Sequence, residues 1–133
     1  MLDYEFLNSF TERVLTLDKS ISWVGITNKF SVLLTGEVKQ GIDLSLTEEE
    51  NEDFSSSSIT RYMSLKKVSP KIGKTIYAFG IYRNFCRATV PINEDFYLLL
   101  TFDSKIRKFD NLITKKIIPI IKEQTHRFVM PAD

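Results

Sequence analysis

The segment Phe96-Tyr97-Leu98-Leu99-Leu100-Thr101-Phe102 constrains this chain more than any other. It is a continuous run of strand-forming residues, bounded by Asn93-Glu94-Asp95 before it and Asp103-Ser104 after it. A run without polar alternation reads as a strand buried on both faces. A strand of that kind needs a layer of structure on each side of its sheet. The expectation is an α/β (α+β) fold: a five-stranded antiparallel sheet with helices on both faces.

The rest of the chain supplies those layers. Leu2, Phe6, Phe10, Val14 and Leu17 recur at helical spacing, and Asp18-Lys19-Ser20 ends that helix. Ile21–Ile26 and Phe30–Thr35 read as a hairpin turned by Thr27-Asn28-Lys29, with Gly36 and Gly41 bracketing the exit loop. Thr47-x-x-Glu50 is a capping-box pattern that opens a second helix, expected to run to Ser69 before Pro70. Its interior holds Ser55-Ser56-Ser57-Ser58, whose hydroxyls compete for backbone hydrogen bonds. Two readings are open there: one continuous helix, or an acidic helix, a serine loop and a new helix from Ile59. Thr75–Tyr82 alternates as a strand, Arg83-Asn84 turns, and Cys86–Val90 returns, closed by Pro91. The last helix follows Asp103-Ser104, with Ile106, Phe109, Ile113, Ile117 and Ile120 inward and a kink or end near Pro119. Residues 1–123 are expected to form one domain and residues 124–133 a loose tail. The element order is α-β-β-α-β-β-β-α.

Composition narrows the class. The 133 residues are 43 % hydrophobic and 26 % charged, enough to bury a core without staples. Net charge is +1, so no global field favours nucleic acid or a membrane. The charge is nonetheless uneven. Residues 37–53 are acidic, with Glu48, Glu49, Glu50, Glu52 and Asp53 clustered, and residues 105–127 are basic. These are either two solvated faces or a bipolar surface that orients a partner. Cys86 is the only cysteine, which excludes a disulfide framework and fits a reducing compartment. Its apolar neighbours make it a small core residue. The start lacks the pattern of a signal peptide, and no apolar run is long enough to cross a bilayer. A cytoplasmic protein without membrane insertion is expected.

No complete reactive site is present. Gly73-Lys74-Thr75 ends like a phosphate-binding loop, but Val68 stands where that motif needs glycine. The order helix, turn, strand is also wrong, because the phosphate should meet a helix N-terminus. His126 is the only histidine and lies in the tail, so neither a zinc site nor a Ser-His-Asp device can be assembled. The acids of 48–53 lack the pattern of a calcium loop. The expectation is a protein that is not an enzyme and that holds no metal and no cofactor.

An ordered set of motifs carries a resemblance. Ile21-Ser22-Trp23-Val24-Gly25-Ile26 with Asn28-Lys29, Leu46-Thr47-Glu48-Glu49-Glu50, Gly73, Val90-Pro91-Ile92 and Leu98-Leu99-Leu100 span about residues 2–122. Together they resemble the roadblock (dynein light chain 7) family, a relative of the profilin fold, and small uncharacterised archaeal roadblock-like proteins in particular. The resemblance implies a non-catalytic homodimer or heterodimer that scaffolds other proteins or regulates a small Ras-like GTPase. It also implies that the strand 75–82 pairs with its mate while the second helices pack together. The interface would then hold Phe54, Ser55, Ser58, Ile59, Tyr62 and Met63 on the helix, and Thr75, Tyr77, Phe79 and Ile81 on the strand. The alternatives are a small-molecule-sensing profilin-like domain and, less favoured, a nucleic-acid-binding protein that uses the basic last helix.

Overall fold

In the computed structural model, residues 2–131 are described. The apolar run becomes strand β5 (Phe96–Asp103), flanked by β1 (Ile21–Asn28) and β4 (Phe85–Pro91). Strand β2 (Leu33–Val38) extends the antiparallel sheet beyond β1, and β3 (Ala78–Ile81) extends it beyond β4. The order is β2–β1–β5–β4–β3.

Alternation along β5 divides its side chains between two cores. Phe96, Leu98, Leu100 and Phe102 join the larger core, and Tyr97 and Leu99 join the smaller one. The larger core is covered by α1 (Tyr4–Leu15), which buries Phe6, Leu7, Phe10, Val14 and Leu15. Asp3 caps α1 by accepting from the Phe6 N–H at 3.0 Å. The last helix covers the rest of that face with Leu112, Ile113, Ile117 and Ile121. The smaller core has only α2 (Glu48–Ser64) above it, with Ile59 set against Trp23, Tyr97 and Leu99. The Trp23 indole lies across two paired glycines, Gly25 and Gly36. A Cβ on Gly25 would stand 2.3 Å from the ring, so the ring can lie flat only because no side chain is there.

Four expectations are corrected here. Strand β2 begins at Leu33, not Phe30, because the Asn28 side chain closes the turn itself. Its Oδ1 accepts from the N–H groups of Phe30 and Val32, at 2.9 and 3.1 Å. Gly36 accordingly sits inside β2 rather than in the exit loop. Helix α2 stops at Ser64, and Pro70 lies in the first turn of a separate short helix, α3 (Ser69–Ile72). The strand expected over 75–82 pairs only over Ala78–Ile81. Ala78 lies opposite Thr89, so the next hydrogen-bonded pair would need the N–H that Pro91 lacks.

The fourth correction is at the C-terminus. Pro119 does not end the last helix. Helix α4 (Phe109–Leu112) widens into a π-helical segment, Ile113–Ile117, and continues as α5 (Ile118–Gln124). The Ile118 N–H reaches the Ile113 carbonyl, and this wide turn lets the proline ring enter without breaking the rod. The wider turn also puts Ile121 in the inner stripe and leaves Ile120 only partly buried. The following residues dock. Phe128 is 3 % exposed and packs edge-on against Phe6, Phe10 and Phe96, with ring centroids 5.0, 5.0 and 5.8 Å away. Asn93 Nδ2 donates to the Phe128 carbonyl at 3.0 Å.

Phe128→Ala should therefore lower stability by roughly 3–5 kcal/mol, the usual cost of deleting a buried aromatic ring. Urea denaturation measures this; an unchanged midpoint would mean that residues after Gln124 are dispensable.

Candidate functional site

Helix α2 and the edge strand β3 define one side of the molecule. The start of α2 is fixed by its capping box. The Thr47 hydroxyl accepts from the Glu50 N–H, and the Glu50 carboxylate accepts from the Thr47 N–H. The helix is continuous through the serine run, which decides between the two readings left open. Ser55 and Ser58 donate to the carbonyls four residues back, Asn51 and Phe54, at 2.8 and 2.9 Å. Their hydroxyls are satisfied inside the helix and do not compete with it.

The expected interface residues part company in the structure. Ser55 and Ile59 are wholly buried within the single chain. One helical turn separates them, so they mark the inward stripe of α2. Phe54, Ser58, Tyr62 and Met63 are half-buried beside that stripe. Thr75 and Tyr77 precede β3 instead of lying in it. Tyr77 and Phe79 turn to the opposite face of the sheet, away from α2. The Tyr77 hydroxyl donates to Asp110, and the Phe79 ring stacks on Phe109 with centroids 3.9 Å apart. Ile81 is 71 % exposed.

Leu65, Val68, Ile72, Ile76, Ile81 and Tyr82 are exposed; Tyr82 lies on the α2 face of the sheet, against Phe54, whereas Ile81 by alternation shares the face of Phe79. The backbone of β3 is open as well. The Tyr82 N–H donates to the Phe85 carbonyl, so by alternation Ala78 and Gly80 face β4. Phe79 and Ile81 direct their N–H and C=O groups outward from the sheet.

Beneath α2 lies Arg87, on β4. It is 3 % exposed, and its guanidinium carbon sits 4.6 Å from the Trp23 ring and 4.2 Å from the Phe54 ring. Nη2 donates to Asn51 Oδ1 at 2.8 Å and Nη1 to Ser55 Oγ at 3.3 Å, while Nε has no partner. None of the ion pairs among the described residues includes it. Burial draws its pKa down to about 10. A lone arginine in the apolar strand Cys86–Val90 was the available signal for this residue. Ser55 thus also receives a buried guanidinium.

The other candidate chemistry stays dispersed. Among the described residues, no group of three or more His, Cys, Asp or Glu is placed to hold a metal. His126 is exposed, and Cys86 is buried, with burial pushing its thiol up. Gly73, at φ +91, ends α3 and leads into extended chain, so Lys74 and Thr75 open no helix. No described helix is long and apolar enough to cross a membrane.

Comparison with solved structures agrees with this architecture. The gliding protein MglB of Thermus thermophilus is 10 % identical, with 91 % of each chain aligned and a TM-score of 0.68. A Roadblock/LC7 domain from Streptomyces avermitilis is 5 % identical, covering 89 % of this chain and 93 % of its own, with a TM-score of 0.69. Myxococcus xanthus MglB is 16 % identical, covering 95 % and 97 %, with a TM-score of 0.72. No protein-family model and no curated protein sequence matches the chain. The chain has the Roadblock/LC7 fold.

Tyr77 gives a test of which face it serves. Its hydrogen bond to Asp110 pushes its pKa up to about 12, from an ordinary 10.0. The folded state thus favours the neutral phenol, and that contribution is complete below pH 10 and lost as pH rises towards about 12. Tyr77→Phe should lose stability less steeply across this window than the unaltered protein, as read from urea midpoints.

Proposed function

We propose that the chain is a non-catalytic dimeric interaction module, a scaffold for other proteins or a regulator of a small Ras-like GTPase. The open edge of β3, with Ile81 exposed on the strand and Ile76 exposed just before it, carries this reading. An unpaired strand edge beside apolar surface is a template for another chain, and proteins cover such edges. A second copy is the simplest cover. Charge favours it: α2 begins with Glu48, Glu49, Glu50, Glu52 and Asp53, whereas Arg61, Lys66 and Lys67 lie at and beyond its other end. Two α2 helices laid antiparallel would set acid against base. The interface we propose keeps Phe54, Ser58, Tyr62, Met63 and Ile81, and uses the β3 backbone instead of the Tyr77 and Phe79 side chains. The GTPase is the partner implied by the roadblock resemblance.

Ile81→Asp should weaken self-association at least about tenfold by putting an unpaired charge in the interface, while leaving the fold intact because the residue is exposed. Light scattering at micromolar concentration should then give a dimer mass for the unaltered chain and a monomer mass for the variant. A monomer in both cases would refute the reading. Co-purification with the Ras-like GTPases of the source organism tests the partner.

A second reading, small-molecule sensing, is favoured by one cavity of about 640 Å³ at the end of the sheet. Ile21, Phe54, Tyr82, Phe85 and Phe102 wall it, together with Thr101, whose buried hydroxyl has no partner. That size suits a metabolite. Saturable thermal stabilisation by a member of a metabolite panel would support this role, and no stabilisation across the panel would count against it.

A further inference from the structure

The sheet ends on β2 as well as on β3. The Lys39 N–H donates to the Ser22 carbonyl at 2.8 Å, so by alternation Glu37 and Thr35 also face β1. Gly36 and Val38 therefore direct their N–H and C=O groups away from the sheet. No group among the described residues bonds to them, and both residues are exposed. On the α1 face the strand is filled: Leu34 packs into the larger core, and the Thr35 hydroxyl donates to Asn8.

The α2 face is not filled. A recess of about 420 Å³ runs there beside the edge, with room for side chains and not only for water. The Trp23 ring, lying against Gly36, forms its floor, and Leu33, Leu44 and Leu46 wall it. Glu48 and Glu52, from the start of α2, stand on its rim. Among the lining residues none is a cation, and none of the ion pairs among the described residues includes either acid. Gly36 has no side chain, so a residue set opposite it can lay a large side chain over the strand into the recess.

Backbone, recess and charge each select the occupant. An open row of N–H and C=O groups takes an extended chain by strand addition. The apolar recess takes every second side chain of that strand. The unpaired acids favour a cationic segment. A second copy does not fit. Antiparallel pairing through β2 would bring both α2 starts to one face, with Glu48 and Glu52 against their own mates, and like charges across an interface oppose it.

We propose that β2 receives an extended segment of another protein, one that places a large apolar residue opposite Gly36 and lysine or arginine at the next positions on the same face. This site is on the far edge from β3 and does not depend on self-association.

A phage-displayed library of random short peptides is the probe, selected on the full chain. Selection should enrich sequences with an aromatic or aliphatic residue and lysine or arginine at the next position on the same side of a strand. A synthetic peptide of the enriched sequence should shift the Gly36 and Val38 amide signals in nuclear magnetic resonance and slow their hydrogen exchange. Val38→Pro should weaken its binding at least about tenfold by removing an outward N–H. That N–H is not used by β1, so the fold is kept, as an unchanged urea midpoint would verify. Glu48→Gln combined with Glu52→Gln should weaken binding about tenfold and flatten its salt dependence. The proposal is overturned if no basic sequence is enriched, if the peptide moves the β3 amides instead, or if either variant binds as tightly as the unaltered chain. It is also overturned if the Gly36 and Val38 signals follow protein concentration without peptide, since a second copy would then occupy the edge.

Discussion

Burial of β5 on both faces is the constraint on which the other elements depend. Seven consecutive residues, Phe96 to Phe102, are buried, and their alternation feeds two cores instead of one. Each such side chain contributes roughly 1.5–3 kcal/mol once removed from water. That gain requires hydrogen-bonded strands on both edges of β5 and a helical layer on both faces. Strands β1 and β4 meet the first demand. Helix α1 and the last helix meet the second on one side, and α2 meets it alone on the other.

The two layers are unequal. On the thick side, phenylalanine and isoleucine from three segments interlock, and Phe128, beyond the last helix, joins them. On the thin side, one helix covers a small core of Trp23, Ile59, Tyr97 and Leu99. Helix α2 does not reach across β3, so apolar surface, an open backbone edge and a recess remain there. Polar groups are buried on the same side: Arg87 under Asn51 and Ser55, and Thr101 on β5 with an unsatisfied hydroxyl. Groups of that kind cost stability unless partnered. Their concentration on the thin side coincides with the open edge.

Much of the fold was legible in local signals with a single physical meaning. Hydrophobic period separated helices from strands, and the Thr47-x-x-Glu50 box placed the start of α2 at its observed residue. Signals with two meanings failed. Pro70 read as a stop and Pro119 as a kink or an end, yet one opens a short helix and the other is absorbed by a π turn. Thr75–Tyr82 alternated well along its own length, but the proline opposite, Pro91, limited its pairing. The serine run looked like a place for close helix contact. Ser55 is instead a ligand for Arg87, thirty-two residues away in sequence, and no local pattern encodes that meeting.

The sequence by itself determined the order of the strands and main helices, the doubly buried strand and the apolar stripe of α1. These depend on spacing within one segment, and short-range geometry is written in the local chain. Only the tertiary structure decided which face each α2 residue serves, that β3 is a four-residue edge, that Phe128 belongs to the core, and that Arg87 is a buried cation without a counter-charge. Each of these depends on what a distant strand or helix presents at the point of contact. Burial and pairing are properties of two surfaces together, and neither surface alone specifies them.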